Sequence, residues 1–389
     1  MMQTNTKIRQ LSDITISRIA AGEVIERPSS VIKELVENSI DAGATKIDII
    51  LERAGKNLIV ISDNGHGMSK DDLELAVQRH TTSKLDEKDI MDIQSFGFRG
   101  EALPSIGSIS RMTISTYDQH SKSAWQIYIE GGVVNSITQS NHNIGTKIEV
   151  SDLFFATPAR LKFLRSDRVE FAACLDVVKK IAMAHSHISF SLLHDGKNIL
   201  KLKASESSLR ITEILGQDFL DNSTIADLSH PEIKVKGLVS LPTYNRAAAL
   251  DQFLFINNRP VKDKVLATAV KVAYQDFLAR DRHPVLVLFV EIDPHLIDVN
   301  VHPAKSEVRF HDANMVRGLM ISAIKDAINT TGHRVSTTNA QNAIEYFIPS
   351  GNESYARDVE ARNFRPVGQA YSQKPQQQVI YPTTRYNAP

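Results

Sequence analysis

The stretch KELVENSIDAG, Lys33 to Gly43, decides how the first half of this chain is read. At the helical 100° per residue, Val31, Ile32, Leu35, Val36 and Ile40 share one half of the wheel. Glu34, Glu37, Asn38 and Asp41 share the other at i, i+3, i+4 and i+7, so they form a single stripe. Pro28 near the start and Gly43 just past the end punctuate the helix. The apolar half asks for a sheet to pack on. The polar half stacks carboxylates and an amide with no Lys or Arg among them, and like charges so spaced cost roughly 0.2–0.5 kcal/mol per pair. Such a stripe is expected to face a cation.

The chain is 389 residues long, too long for one ordinary domain, and its 42% hydrophobic content is ample for buried cores. Lys+Arg and Asp+Glu both number 45, so net charge gives no sign of a nucleic-acid partner, although a local basic patch stays open. A single cysteine, Cys174, excludes a disulfide framework and any Cys-rich metal site, and its place in FAACLDVVKKIAMA reads as a small buried residue. With no signal-peptide pattern and no apolar run of membrane-spanning length, a soluble cytoplasmic protein without a membrane partner is expected, nucleoid-associated if bacterial.

Composition separates three regions. Residues 1–225 alternate helical patterns with strand-like runs such as KIDIILE, NLIVIS, RMTISTY, AWQIYIE and GTKIEVS, which suits a sheet covered by helices on one face. In 226–335 the pattern restarts with the strand FLFINN, the helix KVLATAVKVAYQDFL, the buried strand HPVLVLFVEI and the closing helix NMVRGLMISAIKDAI. Residues 336–389 are rich in Gln, Asn, Ser, Thr and Pro and read as a disordered linker.

Two further motifs bear on the stripe. In LIVISDNGHGM a buried strand ends at Asp63, followed by closely spaced Gly65 and Gly67 that permit positive φ and close approach of backbone to a ligand. Alone, the same residues would serve as a turn joining strands. In SFGFRGEALPSIGS, Gly97, Gly100 and Gly107 surround an expected helix start at Glu101, offering N–H groups and a positive dipole end to a phosphate. It is neither a Walker A sequence nor a Rossmann fingerprint. Between them lies RHTTSK, polar and rich in donors, whose plain reading is a surface loop. Together the motifs suggest a nucleotide with Mg²⁺, which takes one or two protein oxygens and completes its shell with phosphate and water. Asn38 can be a direct ligand, and Glu34, one turn earlier, can polarise a water for attack on a γ-phosphate.

The segments IAAGEVIERPSSVIKELVENSIDAGA, DNGHGM, RHTTSK, GFRGEAL, GTKIEV, DLFFATPARLKFL and VNVHPAKSEVRF together resemble the MutL family of DNA mismatch repair proteins. That family shares its superfamily with gyrase-type topoisomerases, histidine kinases and a heat-shock chaperone. The resemblance runs from about Ile14 to about Ile328. It implies an α+β fold: an α/β sandwich ATPase domain with a mixed, mostly antiparallel sheet, and a smaller ribosomal-protein-type β-α-β domain.

Residue by residue, the resemblance implies Glu34 as general base and Asn38 as Mg²⁺ ligand. It implies Asp63 as the carboxylate reading the adenine amine, with Gly67 and Thr146 in the base pocket. His80, Thr81, Thr82, Ser83 and Lys84, with Gly97, Phe98, Arg99 and Gly100, match a mobile lid contacting sugar and phosphates. Lys305 matches a lysine that reaches the γ-phosphate from the second domain. Asn258 stands where the family commonly has Gly, in a turn that Asn tolerates. Family members continue into a C-terminal dimerisation domain, sometimes a nuclease, so a fragment or truncated form is expected.

The implied partners are DNA, a mismatch-recognition protein, a downstream nuclease or helicase, and a second copy under ATP. Arg259, Lys262, Lys264 and Lys271 form one basic cluster, and Arg160, Lys162, Arg165 and Arg168 another. Neither carries a base-reading motif, so contacts would be phosphate-directed. The alternatives are the ATPase part of a type II topoisomerase, which lacks support from any cleavage-domain sequence, and a scaffold without turnover, which would be expected to have lost Glu34 or Asn38.

Overall fold

A computed structural model describes residues 11–84, 100–298 and 308–346, with side chains as far as residue 330 except at positions 13 and 23. Helices α1 (Asp13–Val24) and α2 (Pro28–Asp41) precede strands β1 (Lys46–Glu52) and β2 (Leu58–Asp63) and the short helix α3 (Lys70–Ala76). After α4 (Ala102–Ile109) come β3 (Arg111–Asp118), β4 (Ser123–Glu130), β5 (Val133–Val134), β6 (Thr138–Gln139) and β7 (Gly145–Ser151). Helices α5 (Pro158–Phe163) and α6 (Asp167–Ala184) lead to β8 (Ser189–His194), β9 (Lys197–Leu202), α7 (Ser207–Leu215) and α8 (Gln217–Asp221).

Among the described residues these strands form one nine-stranded sheet, in the order β5-β4-β3-β7-β2-β1-β8-β9 with β6 also on β4. Only β1 and β8 run parallel, so the sheet is mixed and mostly antiparallel, as expected. In KIDIILE, Ile47, Ile49 and Leu51 are buried while the residues between them are not. That alternation is what one covered face requires. The cover includes Val31, Ile32, Leu35 and Val36 of α2 and Cys174, Val178 and Ile181 of α6, all in one core. Each such side chain contributes roughly 1.5–3 kcal/mol by leaving water.

The predicted limits of α2 hold. Pro28 occupies its first turn, and the Ala42 N–H donates to the Asn38 carbonyl at 2.9 Å. Gly43 follows with φ +72°. Cys174 is buried, and burial pushes its thiol up to about 12, so it packs and does not react.

The chain continues through β10 (Ser223–Ser229), β11 (Ile233–Ser240), β12 (Asn245–Arg246), β13 (Gln252–Ile256), β14 (Arg259–Pro260), α9 (Lys264–Tyr274), β15 (His283–Pro284) and β16 (Leu286–Ile292). It then runs through β17 (Ile297–Asp298), β18 (Arg309–Phe310) and α10 (Ala313–Tyr346). A five-stranded sheet has the order β10-β11-β16-β13-β14, and β13 and β16 are parallel, joined through α9. Leu254 and Ile256 pack with α9 and α10, whereas Phe253 and Phe255 enter the core of the first sheet's helices. Burial on both faces explains why FLFI is solidly apolar. The β13–β14 turn uses Asn257 and Asn258 at φ 47° and 63°, so Asn258 does adopt the left-handed conformation. Helix α10 continues past residue 336 to Tyr346. Among the described residues no helix is long and apolar enough to cross a membrane.

Candidate functional site

The stripe on α2 already meets cations, and the chain itself supplies them. Lys33 Nζ lies 3.6 Å from Glu34 Oε1 and 3.4 Å from Glu37 Oε1. Lys84 Nζ donates to Asn38 Oδ1 at 2.8 Å and to Asp41 Oδ2 at 2.6 Å. Arg259 of β14 is half-buried; burial lowers its pKa, against the opposing pull of Glu37, Asp41 and Glu34. A stripe without basic neighbours is therefore corrected: Lys33 sits beside it on the same helix, and packing delivers the other two from afar.

Arg259 also separates from the cluster in which the sequence placed it. Lys262, Lys264 and Lys271 are exposed, while Arg259 is turned toward the acidic stripe. The reason is positional. Strand β14 packs against α6, which in turn packs on α2.

The second half of the site is built at the end of β2. Asp63 pairs in register with Thr146 on β7. Its Oδ2 accepts from Ser39 Oγ at 2.7 Å, and its Oδ1 accepts from the Gly65 N–H at 2.9 Å and the Thr146 N–H at 3.3 Å. Burial raises its pKa, outweighing those hydrogen bonds. Thr146 Oγ1 lies 3.0 Å from Thr116 Oγ1, which accepts from the Met68 N–H at 2.9 Å. Gly67 has φ +72°, and a Cβ there would stand 1.9 Å from the Tyr117 carbonyl oxygen, so only glycine fits. Asn64 Oδ1 accepts from the backbone N–H of Thr45 and Lys46, at 2.9 and 2.8 Å, and ties the loop to the start of β1.

Sequence reasoning missed Ser39 and Thr116. Ser39 left a signal, a hydroxyl beside Asn38 on a helix; Thr116 left none, because it reads as one more polar strand residue.

RHTTSK lies against Gly100 and Glu101. His80 is exposed at φ 64°, with Nδ1 3.6 Å from Glu101 Oε1. Thr81 Oγ1 donates to the Leu75 carbonyl at 2.6 Å, and Thr82 Oγ1 accepts from the Lys84 N–H at 3.1 Å. Thr82 and Ser83 are exposed. A Cβ at Gly100 would stand 2.2 Å from the Thr81 carbonyl oxygen, so the two segments touch through backbone. Helix α4 begins at Ala102 with Glu101 as its N-cap. Gly97, Phe98, Arg99 and Lys305 lie outside the described residues. In the other basic cluster, Arg160 is turned inward, donating to the Ile25 carbonyl at 3.0 Å, while Lys162, Arg165 and Arg168 are exposed.

Residues 25–149, which hold α2 and the Asp63 pocket, match the histidine kinase-, DNA gyrase B- and HSP90-like ATPase family. Residues 211–329 match the DNA mismatch repair protein, C-terminal domain. The chain is 58% identical over 373 residues to the DNA mismatch repair protein MutL of Rickettsia felis, across 92% of this chain and 61% of that protein. It thus spans about three fifths of the length of that curated relative. Among solved structures, the N-terminal domain of a DNA repair protein superposes with a TM-score of 0.71 at 29% identity, covering 81% of this chain and 98% of that one. The Aquifex aeolicus MutL ATPase domain complexed with ADP superposes with a TM-score of 0.55 at 28% identity, covering 76% and 98%. Both matched regions, their order along the chain and the high identity over most of its length agree: the chain belongs to the MutL family of DNA mismatch repair proteins.

Proposed function

We propose that this chain is the ATP-operated switch of a mismatch repair protein, binding and hydrolysing Mg²⁺-ATP on α2 and engaging DNA and partners in the bound state. One observation carries the reading. A single helix presents Glu34 and Asn38 to cations and, through Ser39, fixes the carboxylate of Asp63.

The roles follow from those positions. The Asp63 carboxylate accepts a hydrogen bond from the adenine amine, where guanine carries an oxygen instead. Thr146 and Gly67 shape the same pocket. Glu34 takes the proton of the attacking water. The oxygens of Asn38 and Asp41 already converge on an ammonium, which is the donor chemistry that a hard cation requires. Asn38 would hold Mg²⁺, which when bound offsets charge on the phosphate oxygens. His80 to Lys84 and Gly97 to Gly100 are assigned to sugar and phosphates, and Lys305 to the γ-phosphate. Lys262, Lys264 and Lys271 are assigned to DNA phosphates; Arg259 is withdrawn from that set. A mismatch-recognition protein, a nuclease or helicase, and a second copy are the proposed partners.

The test is phosphate release from ATP with and without Mg²⁺ and single-stranded DNA, beside equilibrium binding of ATP and GTP. Mg²⁺-dependent hydrolysis with strong preference for ATP is expected. Equal binding of both nucleotides, or hydrolysis indifferent to Mg²⁺, would overturn the reading.

A further inference from the structure

The segment from α5 to the start of α6 carries an arrangement that the ATP site does not use. Phe163, the last residue of α5, is 86% exposed, more than any other large apolar side chain among the described residues. Lys162, Arg165 and Arg168 beside it are also exposed, and among the described residues no carboxylate pairs with them.

Tertiary structure enlarges this patch and stiffens it. Lys56, from the connection between β1 and β2, donates to the Arg165 carbonyl at 2.7 Å and lies 2.8 Å from Asp167 Oδ1. Arg53 lies 3.6 Å from the same carboxylate. On the other side, the Arg165 N–H donates to Glu170 Oε1 at 2.9 Å, and Arg27 holds Glu170 Oε2 from Nε at 3.0 Å and Nη2 at 2.9 Å. The turn after Phe163 is thus pinned from both sides. Asp167, its side chain 45% exposed, is held by Lys56 and Arg53.

We propose that Phe163 and these cations form a stacking platform for single-stranded nucleic acid, a reading that rests on the DNA binding proposed above. An unpaired strand presents apolar base faces and a phosphate row together, and base–aromatic stacking beside a basic track is how such strands are held without sequence readout. A duplex hides its base faces, so it meets only the cations. The platform therefore discriminates strand state through one side chain.

Fluorescence anisotropy tests this with the full chain, a labelled oligothymidylate and a blunt duplex of equal length, titrated at several salt concentrations. Phe163→Ala should weaken single-strand binding by about ten-fold and leave duplex affinity and the salt dependence unchanged. Phe163→Tyr should restore the loss. Lys162→Glu with Arg165→Glu should weaken both ligands and flatten the salt dependence. Phe163→Trp adds a second readout: its emission should be quenched by oligothymidylate, over the baseline of the single native tryptophan, Trp125. If the parent chain binds neither ligand, the DNA reading itself fails. If it binds both and Phe163→Ala loses nothing, or loses single strand and duplex equally, the platform is overturned while DNA binding stands. Phe163-dependent self-association in sedimentation, with single-strand affinity unchanged, would assign the ring to a protein contact and also overturn it.

Discussion

The ammonium of Lys84 lies 2.8 Å from the amide oxygen of Asn38, 46 residues away in sequence, and 2.6 Å from Asp41. A side chain of the protein stands where the oxygen donors of the α2 stripe converge. Asp41 has only 9% of its side chain exposed, so this contact is largely shielded from water. Lys84→Met should destabilise the nucleotide-free protein by about 1–3 kcal/mol, as expected when a hydrogen bond to a charged group is lost. Chemical denaturation without nucleotide measures it. Unchanged stability would mean that the contact carries no weight.

Glu34 and Asn38 lie one turn apart and should fail differently. Glu34→Ala is expected to abolish hydrolysis while ATP still binds; Asn38→Ala should weaken Mg²⁺-ATP binding itself. Calorimetry paired with single-turnover hydrolysis separates the two. Lost binding in the first and normal turnover in the second would reverse the assignment.

Asp63 combines a nucleotide effect with a pH effect. Asp63→Asn should erase most of the preference for ATP over GTP, since sites built on such a bond discriminate by orders of magnitude. Burial raises the Asp63 pKa above its ordinary 3.8. A raised carboxylate favours the fold below the unfolded value and loses that contribution as pH rises through the folded value. Without nucleotide, Asp63→Asn should therefore gain stability relative to the parent as pH rises from the acid range. Parallel stability curves for the two proteins would contradict this.

His185 is buried and its imidazole is held down to about 4, first by burial and then by His187. The unfolded chain takes up this proton near 6.5 and the folded chain does not, so stability is full above that pH and declines toward pH 4. The loss amounts to about 3 kcal/mol when the shift is converted at roughly 1.36 kcal/mol per unit. His185→Gln should flatten this part of the stability profile. An equally steep decline in the variant would place the cause elsewhere.

Arg210, fully buried, closes the end of α6. Its Nη1 donates to the carbonyls of Ala182 and His185 at 2.7 and 3.5 Å. Its Nη2 donates to Ser186, Ile188 and Lys203 at 3.0, 2.9 and 2.6 Å. A lysine has no fork that reaches these carbonyls together. Arg210→Lys should cost about 3 kcal/mol or more in thermal or chemical unfolding, because buried acceptors lose their donors. A cost below about 1 kcal/mol would show that the carbonyls find other partners.

What the sequence determined by itself is local and periodic. The two faces of α2, the alternation in KIDIILE, the buried strand in HPVLVLFVEI and the stop at Gly43 all follow from side-chain spacing and backbone permission within a few residues. Asp63 was legible as a carboxylate ending a buried strand. Tertiary structure alone decided its hold by Ser39 and Thr146, the arrival of Lys84 at Asn38, and the turning of Arg259 away from its neighbouring lysines toward the acidic stripe. It also brought Lys56 to the turn after Phe163. These partners are separated by tens of residues to more than a hundred. No local period encodes such pairings; they arise when buried sheet faces and helices settle against one another and the polar groups at the edges take whichever partners that packing brings within reach.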